Sequence, residues 1–513
     1  MLLAELGDAS RAVAATRSRL RKRALLARLF SDADPASVGL AVNYLTGTLP
    51  QGRIGLGPAI VRRALDGIDG STAEQALDLA AVDRAFSTIA ATRGKGAVEQ
   101  REAVLRSLFE RSSAGDREFL ARLVLGELRQ GALEAVILES IAEASGLDDA
   151  DIRRAAMLTA DPAIVATTAF EDGLEGLRRF RLTPLAPVRP MLAQPAGTLV
   201  DAIGAMPDDA QLEYKLDGAR VQLHRDGDAV RVFTRQLNDV TDNVPELVAT
   251  ALALPAEQLI LDGEAIVLRD DGSPQPFQVT MRRFGRKASD ERVQAELPLS
   301  VFLFDCLFVD GESLLDRPLH ERMSVLDRIA PDIRVPCLRT GEPAAAHRFL
   351  RQALDAGHEG IMVKTPAGRY AAGSRGADWL KVKEAHTLDL VVLAAEWGSG
   401  RRRGWLSNLH LGARDGDGFV MLGKTFKGLT DKLLAWQTGA LLERELERDD
   451  HTVHVQPELV VEIAVNEIQA SPHYPAGMAL RFARVKRYRD DKAPAEADTI
   501  ETVRALFRQQ NPE

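Results

Sequence analysis

The 513-residue chain is longer than one compact core usually supports, so two or three domains are expected. Its 45% hydrophobic and 27% charged residues are those of a soluble globular protein. It has no apolar run long enough to span a bilayer and no basic-then-apolar leader, so a cytoplasmic protein is expected. Two cysteines, Cys306 and Cys337, cannot build a four-cysteine zinc site or a disulfide framework. A net charge of −9 argues against a protein that coats nucleic acid. Six basic residues from Arg17 to Arg28 and six from Arg481 to Lys492 nevertheless suit binding through a defined face.

Residues 1–185 read as helices. AEQALDLAAVDRAFSTIAAT, EFLARLVLGELRQ and ALEAVILESIAEAS space apolar residues by three and four, without strand-like alternation. RLTPLAPVRPMLAQPAG follows, where Pro184, Pro187, Pro190 and Pro195 stop helix propagation and favour an extended connector. A second unit, 186–385, alternates in QLEYKLDG, ARVQLHRDGDAVRVFTR, LILDGEAIVL, LSVFLFDCLFVDG, GIMVK and WLKVKE, which predicts a mainly antiparallel sheet assembly with helices outside. Asp226-Gly227 marks a hairpin. The third unit, 386–513, offers further strands and a helix near 430–447, as expected for a small OB-fold β-barrel.

The chemistry concentrates in Glu213-Tyr214-Lys215-Leu216-Asp217-Gly218-Ala219-Arg220. Strand alternation puts Glu213, Lys215 and Asp217 on one face, with a glycine closing the turn. A lysine is a nucleophile only when neutral, which requires desolvation or nearby cations; the plain alternative is a solvated face with ordinary ion pairs. Trp379-Leu380-Lys381-Val382-Lys383 sets two lysines side by side, which suits a phosphate between them, or else an edge strand protected by charge. Glu264 and Glu359 stand among apolar residues and are candidates to hold magnesium, although single instances are more often salt-bridge partners. Phe304 could stack on a base or simply be core. The loops LPQGRIGLG, TRGKG and LRQGALE could offer backbone amides with Arg53, Lys95 and Arg129 to phosphates without reading sequence.

EYKLDGAR, LDGEAIVL, LFDCLFVDG, EGIMVK, WLKVK and ALRFARVKRYRDDK, in that order, resemble the nucleotidyltransferase motifs of the ATP-dependent DNA ligases. The helical start and the VRPMLA connector resemble the DNA-binding domain of the family's larger members. The resemblance implies an all-α domain, an α+β adenylation domain and a C-terminal OB-fold, acting as a monomer on ATP, Mg2+ (or Mn2+) and nicked duplex DNA. It further implies that Lys215 carries AMP, Glu213 accepts from the adenine amino group and Phe304 stacks on the base. Glu264 would lie near the ribose or a metal, and Glu359 would serve the metal. Arg220, Arg235 and Arg375 would contact nucleotide or nick phosphate, and Lys381 and Lys383 the α-phosphate. Arg489, Asp491 and Lys492 would orient the pyrophosphate leaving group when the barrel closes. An RNA ligase or a capping guanylyltransferase uses the same lysine chemistry; an NAD-dependent ligase carries a zinc module that two cysteines cannot build, and a scaffold without turnover is the non-enzymatic alternative.

Overall fold

The computed structural model describes residues 1–68, 76–128, 134–206, 208–284, 296–371, 378–383 and 386–510. Among these, eleven helices occupy Leu3 to Leu177 and share one apolar core around residues such as Phe30, Tyr44, Phe86 and Phe109. Short polar side chains start several of them: Asp34, Asp78, Ser113, Asp148 and Asp161 each accept a backbone N–H of the first helical turn, satisfying donors that have no partner inside the helix.

After Leu177 the proline-rich connector runs extended against the middle region. Three of its N–H groups find side-chain acceptors there: Leu185 donates to His224 Nδ1 (3.1 Å), Val188 to Gln222 Oε1 (2.9 Å) and Met191 to the Tyr370 hydroxyl (3.0 Å). Gln194–Pro195 then joins a sheet as a short strand parallel to Trp379–Lys383.

The middle region holds two five-stranded sheets. In the first, the order is Gln194–Pro195, Trp379–Lys383, Gly360–Lys364, Ala210–Lys215, Cys337–Thr340. The second runs Ala229–Thr234, Ala219–Asp226, Gln258–Val267, Leu299–Val309, Glu312–Ser313. The chain crosses between them through Leu216-Asp217-Gly218. A Cβ on Gly218 would run into Ile266 and the Ala265 carbonyl, so the crossing needs glycine. The predicted hairpin is present, displaced by one residue: Asp226 pairs with Ala229, leaving Gly227 and Asp228 as the turn, with Gly227 at φ +60°.

The C-terminal part curls around one long strand, His386–Trp397, which pairs with Leu406–Asp415, Thr452–Val455 and Val460–Val465. Register shifts between Val392 and Ala394 and between Glu396 and Trp397 bend that strand, allowing the sheet to close on a core of Leu390, Leu409, Val453 and Ile463. This is the expected OB-type barrel. The expected helix is shorter than 430–447: it spans Asp431–Leu442, and Glu445–Arg448 pairs as a strand with Thr452–Val455. A closing helix, Ile500–Gln510, was not anticipated; its Ile500 and Val503 are buried in the barrel core.

Candidate active site

The Leu216–Gly218 crossing brings the two sheets' functional side chains together. The Glu359 N–H donates to the Lys215 carbonyl (3.1 Å), fixing the start of strand Gly360–Lys364 beside the end of Ala210–Lys215. Gly360, at φ +142°, lies so close to the Val382 carbonyl that a Cβ has no room. Glu359 consequently faces two lysines and forms ion pairs with both Lys215 and Lys383.

Burial pulls on the Lys215 ammonium, yet Glu359, Glu264 and Asp217 together outweigh it and hold its pKa above the ordinary lysine value. The expected depression falls instead on the neighbours. Lys383 is lowered by burial and by Lys215, and Lys381 by burial, Lys383 and Lys215. This corrects the sequence expectation that cations would keep Lys215 neutral, because the nearest charge is the carboxylate across the strand. Arg235 is exposed, and its charge adds to the lowering of Lys381. Among the described residues Lys381 makes no ion pair.

Asp217 and Glu264 are both pushed up to about 7 by burial, Asp217 also by Glu359. Glu264 receives the Gly218 N–H and makes no ion pair among the described residues. Arg220 is already engaged. It donates to Asp262 (2.8 Å), the Met191 carbonyl (2.6 Å) and the Tyr370 hydroxyl (3.4 Å), while its guanidinium lies 5.3 Å from the Phe304 ring centroid. Glu213 does not share an open surface with Lys215 as alternation suggested. It is buried and paired with Lys364, a residue sequence reasoning passed over as the end of an apolar strand.

The C-terminal part reaches this cluster through Arg481, which lies 3.4 Å from Asp217, also pairs with Glu467, and stacks 4.2 Å over Phe277. A cleft of about 470 Å³ opens there, lined by Asp217, Phe277, Glu359, Lys383, Asn466 and Glu467 among others. In the sequence Arg481 is legible only as one of six basic residues suited to binding nucleic acid, not as a partner of Asp217. The last of that segment's charges, Arg489, Asp491 and Lys492, gather elsewhere: Arg489 and Lys492 bind Asp389 (2.8 and 2.6 Å), and Arg489 holds Asp491 (2.7 Å). Among the described residues no bond joins them to Lys215.

In the helical part, Arg53 and Lys95 are exposed ahead of helices Pro58–Leu65 and Ala97–Glu110. Glycines 57 and 96 precede these helices without a side-chain cap. Arg101 lies against Gly55, and Arg106 donates to the Asp66 and Arg63 carbonyls, tying helix Ala97–Glu110 to Pro58–Leu65. Arg129 and Arg375 fall outside the described residues.

An ATP dependent DNA ligase domain matches residues 190–383, the C-terminal region of that ligase 402–492, and a DNA ligase N-terminal region 69–142. A probable DNA ligase of Anaeromyxobacter dehalogenans (strain 2CP-C) is 56% identical, covering 99% of this chain and all of that protein. The chain belongs to the ATP-dependent DNA ligases. A probable DNA ligase of Mycolicibacterium gilvum (strain PYR-GCK) is 52% identical to this ligase over the full length of both. The solved structure of Pmar-Lig_PreS3 shares the ligase's fold, with a TM-score of 0.62 and 18% identity over 94% of this chain and 99% of that one. Among the described residues no helix of the ligase is long and apolar enough to cross a membrane.

Proposed function

We propose that the ligase seals nicks in duplex DNA as a monomer in the cytoplasm, at the nucleoid when engaged, with residues 1–185 clasping DNA, 186–385 carrying the nucleotide and 386–513 closing over it. The observation that carries this reading is the convergence of Lys215, Glu359, Lys381 and Lys383 at the crossing between the two sheets. In the first step the Lys215 Nζ bonds to the α-phosphorus of ATP, the bond to the β-phosphate oxygen breaks, and pyrophosphate departs. The Nζ proton leaves as this bond forms; Glu359 is the carboxylate in contact with the ammonium, but against the opposing effect of burial Lys215 and Lys383 lower its own pKa, so its pairing must loosen before Nζ can attack. Lys381 and Lys383 neutralise charge on the α-phosphate, Phe304 stacks on the base, and Arg220, Arg235 and Arg375 reach nucleotide or nick phosphate. The nick 5′-phosphate then takes AMP from Lys215, and the 3′-hydroxyl displaces AMP to form the phosphodiester. Arg53, Lys95 and Arg129 meet backbone phosphates, which fits binding without sequence readout.

The donor set fits Mg2+ (or Mn2+) held jointly with phosphates. Glu264 is free of ion pairs and Glu359 is shared by two lysines, whereas no group of three His, Cys, Asp or Glu side chains forms a protein-only cage among the described residues. When bound there, the ion supplies Lewis-acid stabilisation of phosphate charge. Arg489 and Lys492, now on Asp389, and Asp491, held by Arg489, would guide pyrophosphate only after the barrel turns.

This division of labour has a direct test. In single turnover, Asp491→Ala and Lys492→Ala should slow charging with ATP by about tenfold or more, yet seal chemically adenylylated nicked DNA at close to the normal rate. Lys383→Ala should slow both reactions. Equal losses in both assays for Asp491→Ala would assign the C-terminal cluster to structure instead.

A further inference from the structure

Glu213 is 1% exposed. Its Oε2 lies 2.5 Å from Lys364 Nζ, while Oε1 has no hydrogen-bond partner among the described residues. A buried carboxylate oxygen left unsatisfied is costly, and it marks a place where a donor from outside the chain is received. Lys364 is equally buried. Its ammonium pairs with Glu213, donates to the Phe304 carbonyl (3.1 Å) and sits over the Trp379 ring, 4.2 Å from the centroid. Two of its N–H groups thus have acceptors within the protein, and the ammonium lies against the Phe304 and Trp379 rings.

Strand register builds the pair. Gly360–Lys364 lies between Ala210–Lys215 and Trp379–Lys383, and Lys364 stands opposite Gln211 on one side and Trp379 on the other. Phe304, the aromatic assigned to the base, is 4.9 Å from the same ammonium. The arrangement therefore lies beside the surface on which a base would stack.

We propose that Lys364 is the positioning residue for base selection: it holds Glu213 as an acceptor-only carboxylate, so that the pocket takes a purine with an amino donor at its 6-position and rejects one with a carbonyl there. The inference rests on the reading that Glu213 meets the base. An ionised carboxylate accepts hydrogen bonds only; a protonated one also donates and tolerates the carbonyl of guanine or hypoxanthine. Burial and Asp305 already raise the Glu213 pKa against the opposing pull of Lys364 and Arg334, so without its ammonium partner the carboxyl takes up a proton and discrimination fades.

The experiment measures charging of Lys215 with ATP, GTP and ITP in the full-length protein and in K364M, K364Q, K364R and E213Q. The expected result is a wild-type preference for ATP that falls by about tenfold or more in K364M and K364Q. The loss should reside mainly in KM for ATP, with GTP and ITP use maintained, and K364R should restore selectivity. K364Q keeps a donor for Glu213 and the Phe304 carbonyl, so it carries the test if K364M does not fold. Equal losses with all three nucleotides in the Lys364 variants would overturn the proposal, since that is what damaged packing produces. An E213Q variant without selectivity beside fully selective Lys364 variants would overturn it too, and would leave the reading of Glu213 standing. A wild-type protein that charges equally with ATP, GTP and ITP would remove the reading of Glu213 itself.

Discussion

At the scale of single residues, alternation on a strand tells which side chains share a face but not which charge stands across the neighbouring strand. Lys215, Lys383 and Glu359 were legible as candidates, and the structure brings them together. The charge state of Lys215 was not legible, because it depends on the register that sets Glu359 against it. Lys364 was hidden for the same reason: GIMVK reads as an apolar strand until its last residue is found paired with Glu213. Asp305, within LFDCLF, was not singled out in the sequence. It resembles a site carboxylate, yet it is fully buried and bonded twice to Arg322, at 2.7 and 3.0 Å, from helix Leu319–Ile329. Removing one member of such a pair strands the other charge in a medium that solvates it poorly. Asp305→Ala should therefore cost about 3–5 kcal/mol of stability in urea denaturation, whereas replacing both partners by apolar side chains, Asp305→Leu with Arg322→Met, should recover most of it. A loss under about 1 kcal/mol would show that the pair contributes little.

At the scale of elements, periodicity found the helices and most strands because apolar faces must be buried whatever the partner. It gave the proline-rich segment only as an extended connector. What it could not show is where that connector's backbone donors go. His224 holds one of them: its Nδ1 accepts from Leu185, which leaves Nε2 to donate to Gln222 Oε1 at 2.8 Å, so the ring is neutral. Burial lowers its pKa from 6.5 to about 3, with Asp262 opposing weakly. A folded pKa below the unfolded one means that protons bind preferentially to the unfolded chain. The contribution is fully present above pH 6.5 and is lost as pH falls toward 3. Denaturant midpoints should therefore drop more steeply with acid below pH 6.5 in the wild type than in His224→Gln, which can make similar hydrogen bonds without titrating. Parallel curves for the two proteins would place the acid sensitivity elsewhere.

At the scale of the whole molecule, the helical part is joined to the middle region by more than the connector. Met157 and Leu158 share a buried cluster with Val188, Met191, Tyr370 and Trp379, and Arg154 holds Asp316 through two hydrogen bonds of 2.7 and 2.8 Å. From the other side Arg481 bridges the barrel to Asp217. Composition and periodicity divided the chain into three stretches but could not show these contacts, since each rests on single side chains that are unremarkable in sequence. Together they hold the helical part, the two middle sheets and the barrel around the cluster that contains Lys215. The central claim is that AMP passes through that lysine. Intact protein should be incubated with ATP labelled at the α-phosphate, digested and mapped, and a parallel sample chased with nicked duplex. The label is predicted on the peptide containing Lys215 alone, moving to the 5′-phosphate of the nick and then appearing as free AMP, with neither adduct nor transfer in Lys215→Ala. Label on another residue, or a full-strength adduct in Lys215→Ala, would contradict the account.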